Sequence, residues 1–184
     1  MANWLTFGRM IAVLPFTVLF LLDASWNMAA ALFIFVLAAI TDFFDGWIAR
    51  RRNEVSELGA AIDPIADKLL IVAALILLVR NGVIHDVSVI AVLVIVLREV
   101  LVSGLREAVG NKGHKLPVSF LAKIKTTAQL IATAALLAIA PNGILGASFE
   151  PLAIGLLWVS AVLTFWTGAS YTRHAVEILR PPTG

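Results

Sequence analysis

Four aspartates lie close together in an otherwise apolar chain, at Asp42, Asp45, Asp63 and Asp67. Carboxylates at membrane depth are costly, so they indicate a functional site. On helices, spacings of three and four residues place each pair on one helix face, with Cβ atoms about 5–6 Å apart. If the two faces meet, the clustered negative charges need a compensating cation. Because oxygen-only ligands suit Mg²⁺ or Mn²⁺, we interpret the segment as a divalent-metal site.

A structural alternative exists for each aspartate taken singly. Asp63–Pro64, for example, would suit the start of a helix, where aspartate is a favoured cap and proline a favoured first residue. The alternative is weaker for the whole set, because uncompensated buried carboxylates are so unfavourable. Small residues also separate the pairs and would let helices or a substrate approach closely; they are Gly46, Ala49, Gly59 and Ala60.

The composition predicts the elements that must position these residues. The chain has 184 residues, 60% of them hydrophobic, and a mean hydropathy of +0.95, which is typical of an all-α, polytopic integral membrane protein. We predict a single membrane-embedded catalytic domain over 1–184, with a short interfacial segment at 1–8 and a cytoplasmic tail at 172–184. Six transmembrane helices are predicted, at 9–22, 28–50, 62–80, 86–109, 119–140 and 149–171. The absence of cysteine excludes disulfides, zinc-thiolate sites and thiol nucleophiles.

The distribution of lysine and arginine predicts the orientation in the membrane. If the spans alternate in direction, one side collects most of the basic residues at or beyond the span ends: Arg50, Arg51, Arg52, Lys112, Lys115, Arg173 and Arg180. The positive-inside rule places that side in the cytoplasm, together with both termini. The aspartate segment then faces the cytosol. We predict that the membrane is the inner (plasma) membrane of a bacterium.

Four further cations lie within the fourth and fifth spans, at Arg98, Arg106, Lys123 and Lys125. Arg98 and Arg106 are eight residues apart, about two helical turns, and so fall near one face. Several cations near a carboxylate-held metal suggest a pocket for a second anionic group, such as the phosphate of an acceptor alcohol. The alternative is interhelical ion pairing with Glu99 and Glu107, with the lysines extending to the interface.

The aspartate segment matches the pattern DxxDGxxAR, eight residues, GxxxDxxxD at every defined position, over 42–67. In this it resembles the CDP-alcohol phosphatidyltransferase family, whose members are integral membrane enzymes with six transmembrane helices. The resemblance implies that an alcohol attacks the β-phosphorus of a CDP-linked lipid and releases CMP. It also implies a centre of Mg²⁺ or Mn²⁺, with two ions, and a homodimer.

Carried onto this sequence, the resemblance assigns roles to single residues. Metal binding falls to the four aspartates, and Asp67 would also be the general base that takes the proton of the acceptor hydroxyl. CDP-diacylglycerol would be bound by Gly46, Ala49, Arg50 and Gly59. Arginine suits bidentate phosphate recognition, although Arg50 could instead serve only as a positive-inside residue.

Three secondary motifs resemble the branch of that family that uses sn-glycerol 3-phosphate as the acceptor and makes phosphatidylglycerol phosphate. They begin at Asn3, Arg98 and Lys123. The predicted partners are therefore CDP-diacylglycerol, glycerol 3-phosphate and membrane lipid, with no nucleic acid. Alternatives within the family use serine or an inositol phosphate as the acceptor. From other classes, a cation transporter with a carboxylate-lined path and a non-catalytic lipid-binding scaffold remain open.

Overall fold

The computed structural model describes residues 2–52, 57–114, 116 and 119–180, and side chains over 11–41, 68–114, 116 and 119–180. The described chain is helical and contains no strand. Its helices are α1 (Ala2–Leu21), α2 (Asn27–Arg52), α3 (Glu57–Arg80), α4 (Ser88–Asn111), α5 (Phe120–Ile139) and α6 (Glu150–Leu179), with a 3₁₀ turn at Ala147–Phe149 before α6. The predicted all-α class is confirmed.

Polar side chains define several helix boundaries. Asn27 joins the end of α1 to the start of α2, because its Nδ2 donates to the carbonyl of Leu22 at 2.8 Å while its Oδ1 accepts from the backbone N–H of Met28. Ser119 caps α5 by accepting from the N–H of Ala122 at 3.2 Å. These bonds satisfy backbone groups that a helix terminus leaves unpaired.

The core is apolar and is shared by all six helices of the described chain. α4 and α5 both pack on α6, α1 packs on α2 and α3, and α5 also contacts α2 and α3. Among the fully buried side chains are Phe16, Phe35, Leu75, Leu136 and Leu157. Large apolar side chains also cover the outer surface, as expected for a protein that faces lipid tails.

Within the described residues, three helical stretches are long and apolar enough to cross a membrane: Ser88–Asn111, Phe120–Ile139 and Ala147–Leu179. Ile11–Leu21 and Asn27–Thr41 are shorter apolar helical stretches. The chain is thus a helical membrane protein, while the number of six spans stays a prediction.

Helix ends and the ends of apolar runs differ at both termini. α1 begins at Ala2, so residues 2–8 of the segment predicted as interfacial are helical and belong to α1. α6 continues to Leu179, beyond the predicted end of its span at 171. The extra turns have an exposed polar face at Arg173 and His174 but keep Ala175 buried. Hydropathy marks where the apolar run stops, whereas an amphipathic helix continues.

Contacts between loops show that successive helices alternate in direction. At one end, Asn142 donates to the carbonyl of Ala24 at 3.3 Å, and His85 contacts Glu150 at 3.4 Å. At the other end, the Lys112 ammonium donates to the carbonyl of Leu179 at 3.0 Å. Since α2 starts at the first end, its last turns and the first turns of α3 lie at the second end.

Candidate active site: a buried carboxylate among cations

The aspartate segment is divided between two helices. Asp42 and Asp45 lie on α2, and Asp63 and Asp67 lie on α3, in helical backbone. The spacing within each pair therefore places its two Cα atoms on one helix face, as predicted. The side chains of these aspartates, and those of Gly46, Ala49, Arg50 and Gly59, lie outside the described residues. Their predicted roles in metal and nucleotide binding stay predictions.

Lys68, which directly follows Asp67, is the first side chain described on α3. Its ammonium donates to the Ser103 hydroxyl at 2.5 Å and lies 3.4 Å from Oε2 of Glu99. Lys68 thus links the middle of α3 to the middle of α4. Sequence reasoning missed this residue, although a lysine next to Asp67 in an apolar helix was a usable signal.

Glu99 is the point at which the cations of three helices meet. Its Oε1 accepts from the Lys125 ammonium at 2.5 Å and from NH1 of Arg98 at 3.2 Å. The Gln129 side-chain amide also faces Oε1, at 3.4 Å, and Lys68 approaches the other oxygen. Glu99 is only 5% exposed. A buried carboxylate is tolerated when it is paired and hydrogen-bonded in this way.

α6 supplies the polar groups on the far side of this network. Gln129 donates to the Thr164 hydroxyl at 2.9 Å, and NH2 of Arg98 donates to the Thr167 hydroxyl at 3.3 Å. Gly168 leaves room for the arginine, because a Cβ added there would lie 2.7 Å from Cγ of Arg98. The Arg98 side chain therefore lies between Glu99 on α4 and the backbone of α6 at Gly168.

Tyr171 contacts both arginines of α4 at the end of the cluster nearest the start of α5. The guanidinium carbons of Arg98 and Arg106 lie 5.6 Å and 5.3 Å from the centre of its ring, within the range of cation–π attraction. Its hydroxyl accepts from the backbone N–H of Ser119 at 3.1 Å, which joins α6 to the start of α5. Arg98 and Arg106 thus share one face of α4, as the eight-residue spacing predicts.

Three of the four predicted cations gather around this centre, namely Arg98, Arg106 and Lys125, whereas Lys123 is exposed. The alternative of ion pairing is confirmed for Glu99. Glu107 is exposed and forms no ion pair with any residue that the structure describes. The proposed role of these cations in acceptor binding stays a prediction. Sequence reasoning missed further members of the network: Gln129, Thr164, Thr167 and Tyr171.

The cluster carries an excess of positive charge. Lys68, Arg98 and Lys125 against Glu99 leave a formal charge of +2, and Arg106 raises it to +3. Within the described part of the chain, the Nε atoms of Arg98 and Arg106 are buried without a hydrogen-bond partner. Buried donors normally have a partner, so these two are suited to a ligand oxygen.

The described side chains include no group of three potential metal ligands from His, Cys, Asp and Glu. The predicted ligand set lies in the undescribed side chains of α2 and α3. Its chemistry fits Mg²⁺ or Mn²⁺, since hard divalent cations prefer carboxylate oxygens. Bound ions would neutralise phosphate charge and polarise the phosphorus.

The fold and site define a helical membrane protein with a cation-rich polar centre and, next to it in sequence, a segment that carries four aspartates. Residues 1–166 match the model of the CDP-alcohol phosphatidyltransferase family. The chain belongs to this family of enzymes.

Several relatives carry the name CDP-diacylglycerol–glycerol-3-phosphate 3-phosphatidyltransferase. The protein of that name from Cereibacter sphaeroides is 37% identical, with 97% of this chain and 96% of the relative covered. Those from Rickettsia bellii and Escherichia coli K12 are each 40% identical, with 93% of this chain and 92% of each relative covered.

Proposed function

We propose that the protein transfers the phosphatidyl group of CDP-diacylglycerol to sn-glycerol 3-phosphate and makes phosphatidylglycerol phosphate and CMP. The observation that carries this proposal is the group of cations around Glu99, in which Arg98 and Lys125 are buried and Lys68 directly follows Asp67. A phosphate monoester carries about −1.5 to −2 charges at neutral pH. It therefore complements the excess positive charge of the cluster, whereas serine brings no comparable anion.

In the proposed reaction, the acceptor hydroxyl oxygen forms a bond to the β-phosphorus of the lipid. The bond from that phosphorus to the bridging oxygen breaks, and CMP leaves with this oxygen. Asp67 takes the hydroxyl proton, as a general base must do when an alcohol attacks. Asp42, Asp45, Asp63 and Asp67 would hold the divalent ions, and Arg50 with the small residues Gly46, Ala49 and Gly59 would contact the CDP group.

The acceptor phosphate would lie against Arg98, Arg106 and Lys125, whose spare donors are best placed to meet it. Lys123, exposed two residues before Lys125 on α5, would act from the entrance to the site. Arginine contributes a planar set of donors that matches phosphate oxygens. A network already fixed by Glu99 and Tyr171 needs little rearrangement on binding, which favours affinity.

A cavity of about 310 Å³ between α2 and α5 suits the lipid part of the substrate. Its walls are apolar and include Phe35, Ile40, Leu130 and Ala134. The α2 wall ends at Ile40, two residues before Asp42, so an acyl chain in the cavity would have its headgroup near the aspartate segment. Ile40 is also exposed on the outer surface, where lipid could enter sideways.

We further propose that all six helices span the plasma membrane of a bacterium, with both termini and the site in the cytoplasm. The contact of Lys112 with Leu179 supports this orientation, because Lys112, between α4 and α5, then lies at the same end as Arg173 and Arg180 near the end of α6. CMP and the acceptor would then exchange with the cytosol. The homodimer implied by the family stays part of the proposal.

The test is CMP release by the purified protein in nanodiscs, with CDP-diacylglycerol and each acceptor in turn. We expect release with glycerol 3-phosphate, its loss on chelation and its recovery with Mg²⁺ or Mn²⁺. Asp67→Asn should lower the rate by about 10²–10⁴-fold, the typical contribution of a general base. Faster release with serine or an inositol phosphate would reject the acceptor. Metal flux into liposomes that persists in Asp67→Asn would favour a transporter.

A further inference from the structure

We propose that Glu99 is a positioning residue for the acceptor, which holds Lys125 and Arg98 in the arrangement that receives its phosphate. This inference rests on the proposed function. Lys68, Arg98 and Lys125 come from α3, α4 and α5, and each contacts the Glu99 carboxylate. Without that carboxylate, like charges would repel one another across a poorly screened interior.

Glu99 is itself held from several sides. Gln129 donates to its carboxylate, and Thr164 fixes Gln129 from α6. The backbone carbonyl of Glu99 accepts from the Ser103 hydroxyl at 2.8 Å and lies 3.4 Å from the Lys68 ammonium. A side chain with this many partners has one preferred position, and the cations that bind to it are therefore held in fixed positions as well.

The cations keep donors available while Glu99 holds them. An ammonium has three donors, and among the described residues the Lys125 ammonium hydrogen-bonds only to Glu99. Arg98 directs NH1 to Glu99 and NH2 to Thr167, and its Nε has no partner in the described chain. The acceptor phosphate would therefore share these cations with Glu99. The carboxylate also reduces the charge of the pocket, which would favour one phosphate group over more highly charged anions.

The experiment compares Glu99→Gln with Glu107→Gln in CMP release. Glu99→Gln keeps the size of the side chain but removes its charge. We expect KM for glycerol 3-phosphate to rise at least tenfold and KM for CDP-diacylglycerol to stay within twofold of wild type. Glu107 is an exposed carboxylate on the same helix, so Glu107→Gln should change neither value.

A purely structural role would lower the folded yield or melting temperature and leave both KM values of the folded protein unchanged, which would overturn the proposal. If Glu99→Gln does not fold, Gln129→Leu decides the question. This variant keeps the charge of Glu99 but removes the amide that holds it, and a rise of threefold or more in KM for glycerol 3-phosphate alone is expected. No activity of the wild type with glycerol 3-phosphate would instead reject the proposed function.

Discussion

Gly168→Ala tests whether the surface of α6 sets the position of Arg98. The added methyl carbon would lie 2.7 Å from Cγ of Arg98, whereas ordinary contact begins at 3.4 Å, so the arginine must retreat by about 0.7 Å. The donor distance from NH2 to the Thr167 hydroxyl is already 3.3 Å. A retreat of that size takes the pair beyond hydrogen-bonding range and turns the guanidinium away from Tyr171.

The loss of one hydrogen bond by a charged group is worth about 1.5–3 kcal/mol. If Arg98 binds the acceptor phosphate, this corresponds to about a 10–150-fold rise in KM for glycerol 3-phosphate. KM for CDP-diacylglycerol should change little. Helix propensity alone favours alanine over glycine, so general weakening of α6 cannot be the cause of such a loss.

The assay is CMP release at varied glycerol 3-phosphate with saturating CDP-diacylglycerol, and then with the two substrates exchanged. Gly155→Ala is the matched control, because it lies on the same helix and an added Cβ there meets nothing within 4 Å. Equal KM values for the two variants would refute the reasoning, since Arg98 would then either tolerate the methyl group or take no part in acceptor binding.

Two further predictions concern other parts of the molecule. Ala134→Trp fills the cavity between α2 and α5. It should raise KM for CDP-diacylglycerol by tenfold or more and leave KM for glycerol 3-phosphate unchanged. The reverse pattern would show that the lipid does not bind in this cavity. Hydrogen bonds to Asp86 and Glu150 raise the pKa of exposed His85 above its ordinary value of 6.5. The protonated imidazole therefore stabilises this loop below that value, and the stabilisation is lost as the pH rises through the raised pKa. Amide exchange over 82–87, corrected for intrinsic rates, should accelerate between pH 6 and pH 9 in wild type but not in His85→Gln.

Much of the fold follows from local features of the sequence. Apolar runs bounded by Asn27, Arg80 and Pro141 predicted the helices, since hydropathy and helix-terminating residues are properties of neighbouring positions. Predicted spans and observed helices agree within about two residues at the start of α4 and at both ends of α5, in line with the usual uncertainty of helix ends. The termini differ more, because helical turns that contain polar residues extend α1 and α6 beyond their apolar runs.

The candidate site, like the fold, could be predicted only in part from the sequence. The spacing of Asp63 and Asp67 was sufficient to predict a shared helix face, and the family pattern was readable without any contact. Arg98 and Lys125 could be proposed as phosphate ligands from their unusual depth in apolar spans. Lys123 was equally plausible on that criterion, yet it is exposed.

The sequence by itself determined the class of protein, the helices and the carboxylate segment, because all three depend on residues that are close along the chain. Only the tertiary structure decided that Glu99 would be paired with Lys68, Arg98 and Lys125 rather than left as a simple neighbour of one arginine. Such contacts between helices depend on how each helix is rotated about its axis and on how closely its neighbours pack. Gly168 is an example. The space left by its missing side chain matters only because α4 packs against α6 there, so that Arg98 occupies it.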